Sequence, residues 1–138
     1  MLEDCTINVK LKLAALWASF MFLYIYIDYF HLYMPHKLEE IQSGRVFEFA
    51  ITEGFLLVVV SFMMIPVSMI FLSVLLPAKL NRWTNIIIAA IHIPYMLFNL
   101  VGEAWAHMYV AAALEVVLLV LIINNAWKWP IVIDKPQI

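Results

Sequence analysis

Four long apolar runs, separated by short polar stretches, make up most of the chain. The first covers residues 13–33, where Asp28 is the one carboxylate among apolar and aromatic side chains. At a rise of ~1.5 Å per residue a run of that length spans ~30 Å, the thickness of a bilayer's hydrocarbon core. It predicts a transmembrane helix that stops before Met34-Pro35, because the residue ahead of a proline is pushed out of helical geometry. The second run, residues 54–76, opens behind Thr52-Glu53, a capping residue followed by an acid at the positive end of the helix dipole. It contains Pro66, where a kink is expected. The third run covers residues 83–102 with Pro94 inside, and the fourth residues 108–127.

The connection over residues 36–50 interleaves Leu38, Ile41, Val46 and Phe49 with charges. It reads either as an interfacial amphipathic segment broken near Ser43-Gly44 or as a solvated loop. The predicted architecture is therefore all-α: a four-helix transmembrane bundle of antiparallel, up-down topology with short connections, forming one domain over residues 1–138.

Composition agrees with the pattern. The chain is 66% hydrophobic and 13% charged, with a mean hydropathy of +0.96, whereas soluble domains are about 45–50% apolar and about 25% charged. A net charge of −2 offers no basic patch for nucleic acid. Cys5 is the one cysteine and has no CxxC or Cys/His partner, so it reads as an ordinary terminal thiol. No small-x-small cleavage site follows the first run, which is expected to remain as a mature helix. Lysines and arginines set the orientation. Lys10, Lys12, Lys79, Arg82, Lys128 and Lys135 fall on one side of the predicted membrane, against Lys37 and Arg45 on the other. Six against two places both termini in the cytoplasm by the positive-inside rule.

That topology gives each intramembrane polar residue a depth. Asp28 and His31 lie near the outer end of the first helix, and Glu53 opens the second on the same side. His92 sits at mid-depth on the third, with Asn99 and Glu103 above it, and Glu115 lies a third to half of the way across on the fourth. Trp17, Tyr24, Asp28 and His31 share one helical face; His92, Met96, Asn99 and Glu103 share another. Facing each other, the two stripes would enclose a polar cavity open to the outside. Such a cavity, formed by Trp17, Tyr24, Asp28, Glu53, His92, Met96, Asn99 and Glu115, would hold a small amphipathic or lipid-like molecule. The bland alternative for Asp28 is a structural carboxylate hydrogen-bonded to Tyr24 or His92.

Two other readings use the same residues. Glu115 would be the coupling acid of a small proton-coupled multidrug-type transporter acting as a homo-oligomer, with Pro66 and Pro94 as bending points. Asp28 with His31, and Glu103 with His107, have ligand types at helical spacing that suit a metal, while Asp28, Glu115 and His92 would suit acid/base chemistry on a lipid-like substrate. No nucleophile or cofactor motif is present, so no cofactor is expected, and membrane lipids are expected partners.

The segments LKLAALW, YIYIDYFHLYMP, ITEGFLL, NRWTNI and NNAWKW together resemble a family of small bacterial four-helix membrane proteins of unknown function, broadly similar to DoxX-like proteins. The resemblance spans most of the chain and implies four helices and a bacterial inner-membrane location. It implies no activity and assigns no residue a role. Where such relatives tend to have glycine after the proline that ends the first helix, this chain has His36.

Overall fold

Three of the four long helices begin at a side-chain cap or directly after a proline. In the computed structural model, which describes residues 5–102 and 104–131, α1 spans Val9–His31 and is capped by Asn8, whose side-chain oxygen accepts from the Lys10 amide at 2.9 Å. It starts four residues before the expected position because that cap lies inside a stretch that hydropathy alone assigns to the flank. The short helix α2 spans Lys37–Gln42. It leads into a two-stranded antiparallel hairpin, β1 (Arg45–Val46) and β2 (Phe49–Ala50), in which Arg45 pairs with Ala50 and Val46 with Phe49. Helix α3 (Glu53–Leu75) is capped by Thr52, whose hydroxyl oxygen accepts from the Phe55 amide at 3.1 Å. Helix α4 (Ala78–Phe98) follows Pro77 directly, and α5 spans Ala106–Trp127. Glu103 and Lys135, both used in the sequence reading, lie outside the described residues.

The chain is all-α apart from the hairpin, and its four long helices pack in a ring in which α1 touches α3 and α5, and α4 touches the same two. Neighbours run antiparallel. Lys10 near the start of α1 donates to the carbonyls of Val74 and Leu76 at the end of α3, at 3.2 and 2.7 Å. Trp83 near the start of α4 meets Trp127 at the end of α5, edge to face at 6.5 Å, with the Arg82 guanidinium 5.3 Å from the Trp127 ring. One end of the ring thus collects Lys10, Lys12, Lys79, Arg82 and Lys128, and the other carries α2 and the hairpin.

Each helix turns a narrow stripe inward: Leu13, Trp17, Phe20, Met21 and Tyr24 on α1; Pro66, Met69 and Ser73 on α3; Asn81, Asn85, Ala89, His92 and Met96 on α4. On α5 the stripe is Ala111, Ala112, Glu115, Leu119, Ile122 and Ala126. Those positions recur every three or four residues, the repeat of a helix with one packed side. The polarity is the reverse of a water-soluble protein's. Ser73, Asn81, Asn85, His92 and Glu115 are buried, while Leu57, Val58 and Leu75 are about 70% exposed. A continuous apolar exterior of this kind is stable against hydrocarbon and not against water. Among the described residues three helices, α1, α3 and α5, are long and apolar enough to cross a membrane. The lower apolarity of α4 comes from Lys79, Asn81, Arg82 and Asn85 in its first half.

The hairpin is held to the bundle by a close approach. Phe47 has a left-handed backbone, φ 53°, and its ring lies where a Cβ on Gly102 would be, 2.9 Å from the Cε2 atom. Gly102 itself has φ 100°, a conformation that side-chain-bearing residues avoid. Gly102→Ala should therefore push Phe47 off the bundle end at a cost of about 1–2 kcal/mol. The check is amide hydrogen exchange at Ile51, whose N–H donates to the Gly44 carbonyl at 2.8 Å. Unchanged protection there would mean that Phe47 does not hold the hairpin.

Candidate functional site

Near the hairpin end, α1, α4 and α5 part to leave a cleft of about 260 Å³. Asp28 comes from α1 and Glu115 from α5, with Asn99 at the end of α4. Ala111 and Ala112 make the room, since their small side chains occupy the two positions on α5 one turn before Glu115. Tyr24 and Met96 form the side toward the bundle interior, and His31 and Val46 stand toward the hairpin. Among the described lining residues there are two carboxylates and no lysine or arginine.

Glu115 is the enclosed member of the pair, 5% exposed, and it belongs to the inward stripe of α5. Asp28 lies at the open side. No hydrogen bond or ion pair from a described residue reaches either carboxylate. The expected hydrogen bond from Tyr24 or His92 to Asp28 is not made. Tyr24 Oη is instead 3.2 Å from Tyr95 Oη, and His92 Nδ1 donates to the Ile88 carbonyl at 2.8 Å.

A second cavity of about 420 Å³ adjoins the cleft beneath the hairpin, and His31, Val46, Asn99 and Met108 border both. Its other walls are apolar: Phe47, Phe49, Phe55, Val59 and Phe98, with the Lys37–Glu40 ion pair (3.2 Å) at its edge.

Of the residues predicted from spacing, Tyr24, Asp28, Met96, Asn99 and Glu115 meet in the cleft. Trp17 and His92 do not. His92 is enclosed by rings, stacked on Phe62 at 5.1 Å and edge-on to Trp17 and Phe20 at 6.2 and 6.1 Å. Its Nε2 has no partner among the described residues. Tyr24 and Met96 border both this packed layer and the cleft, so they separate the two. Glu53 is exposed in the first turn of α3 and is not a cleft residue. His31 borders the cleft, whereas His107 lies with Trp105 beside a different depression. Among the described residues no three histidine, cysteine, aspartate or glutamate side chains are grouped to hold a metal; Glu103 lies outside them.

Sequence reasoning passed over a second polar group at the opposite end of the bundle. Trp17 Nε1 donates to Asn85 Oδ1 at 2.7 Å, and Ser73 Oγ donates to the same oxygen at 3.2 Å. Asn85 Nδ2 donates to Asn81 O at 2.9 Å and to Asn81 Oδ1 at 2.6 Å. Asn81 Nδ2 closes the network on the Ser73 carbonyl at 2.6 Å. These four side chains are fully buried, and every donor among them is used. The spacing of Asn81 and Asn85, one turn apart and in line with Ala89, was the available signal.

Neither a curated protein nor a solved structure matches the chain. A family model does, over residues 4–132, and it covers the cleft, the hairpin and all four long helices. The chain therefore belongs to that family, described as a family of unknown function (DUF6326).

Proposed function

We propose that the protein is an integral membrane protein of four spans, α1, α3, α4 and α5, and that its cleft binds a small amphipathic or lipid-like molecule from the outer side. Helix α4 completes the set because its polar Asn81 and Asn85 are turned inward and satisfied, while Leu80, Trp83, Ile87 and Ile91 face outward. The ring end that carries five lysines and arginines is the cytoplasmic one by the positive-inside rule, which puts both termini in the cytoplasm of a bacterium and the cleft near the outer face.

The observation that carries the functional reading is the pair of carboxylates on different helices that share one cleft and have no partner among the described residues. Acids at membrane depth are costly, by roughly 2.5–3.5 kcal/mol at mid-span on insertion scales. A fold that needed only packing would fill the space between Ala112 and Glu115 with apolar side chains. The cleft and its neighbour, about 260 and 420 Å³, are of the size that holds small ligands.

Ala112→Phe tests this by filling the cleft while leaving both acids in the sequence. Native mass spectrometry of the protein released from lipid nanodiscs should show a bound small molecule on the wild type that the variant lacks. Identical adducts on both proteins would remove the cleft as the binding place.

A further inference from the structure

We propose that the ligand's head group is a protonated primary or secondary amine seated between Asp28 and Glu115, with its apolar tail in the adjoining cavity beneath the hairpin. The inference rests on the cleft being a binding site and adds the chemical class and pose of what it takes. Three observations lead to it. First, Glu115 is only 5% exposed, lines the cleft, and receives no donor from any described residue. Second, Asp28 lines the same space from another helix, also without a donor among the described residues. Ionised carboxylates are acceptors only, so two of them lining one cleft are matched by a cation with at least two N–H groups to share. A neutral amphipath leaves their mutual repulsion in place, an anion adds to it, and a quaternary ammonium has no N–H to donate.

The third observation is the order of polarity across the two spaces. Acids lie in the cleft toward Ala111 and Ala112; beyond the shared border of His31, Val46, Asn99 and Met108 the walls are mostly aromatic and aliphatic, with Phe49, Phe55 and Val59, and the charges there, Lys37 and Glu40, pair with each other at 3.2 Å. A molecule lying across that border meets charge at one end and hydrocarbon at the other. Burial of a tail there contributes about 0.8 kcal/mol per methylene, so affinity should rise with chain length until the cavity is full.

The test uses the full chain in lipid nanodiscs at neutral pH and equilibrium dialysis against radiolabelled n-octylammonium, with empty nanodiscs subtracted. Saturable binding of one molecule per chain is expected. Unlabelled butylammonium, octan-1-ol, octanoate and octyltrimethylammonium should each compete at least about tenfold less well than octylammonium, a difference of about 1.4 kcal/mol. Asp28→Asn and Glu115→Gln, tested separately and each with a melting temperature no lower than the wild type's, should each weaken binding at least about tenfold. Phe55→Ala should narrow the gap between octyl and butyl chains while leaving the acid dependence intact. Octan-1-ol binding as tightly as octylammonium, with Glu115→Gln unaffected, would overturn the amine assignment. If that octanol binding is lost in Ala112→Phe, the cleft still binds amphipaths; if no chain binds saturably, both readings fall.

Discussion

Asn85→Leu is expected to destabilise the protein by about 2–4 kcal/mol. Asn85 is the centre of the network that ties α1, α3 and α4 together, accepting from Trp17 and Ser73 and donating to Asn81. A leucine of similar size fills the space but orphans the Trp17 indole N–H at a position that is 0% exposed. An orphaned buried donor costs about 1–3 kcal/mol, and hydrogen bonds between membrane helices contribute about 0.6–1.7 kcal/mol each. The check is the unfolding midpoint of the purified protein in SDS titration. In a Trp17→Phe background the same substitution should cost distinctly less, because the donor that would be stranded is already gone. A cost below about 0.5 kcal/mol in the wild-type background would show that the network is not what fastens this end of the ring.

The inversion of polarity explains what could be read from the chain and what could not. Runs of apolar residues locate α3 and α5 to within two residues at either end, because their exteriors and most of their interiors are both apolar. Helix α4 begins five residues earlier than hydropathy places it, at Ala78. Lys79, Asn81 and Arg82 look like a turn when polar is taken to mean outside. Yet Asn81 is buried, and Arg82 lies against the Trp83 and Trp127 rings. Helical spacing together with depth brought Tyr24, Asp28, Met96, Asn99 and Glu115 to one place, since those residues are either on the α1 and α4 stripes or at the matching level of α5. Spacing alone carried the stripes too far: Trp17 and His92 share faces with cleft residues but lie in the packed layer behind Tyr24 and Met96. The hairpin left no periodic signal because its strands are two residues long, and with it the second cavity was out of reach of pattern reading.

Glu115→Leu is expected to act in the opposite sense to Asn85→Leu and raise stability by about 1–3 kcal/mol in protein stripped of bound molecules. Both residues are buried and polar, and both are replaced by the same side chain. They differ in whether the fold answers them. Asn85 has its partners, so its loss strands other groups; Glu115 has no donor among the described residues, so its loss strands nothing and removes an acid from an apolar setting. A leucine there would also pack against Ala111 and Ala112 and partly close the cleft, adding buried apolar area. The same variant should bind no octylammonium, so stability and binding would move in opposite directions, the mark of a residue kept for its ligand and not for the fold. Thermal unfolding of both proteins in one detergent, with and without the amine, separates the alternatives. With amine, the wild type should gain stability by mass action while Glu115→Leu should not respond. A Glu115→Leu protein that melts below the wild type in the absence of any ligand would instead make Glu115 a structural anchor, and the cleft would lose its reason to hold a cation.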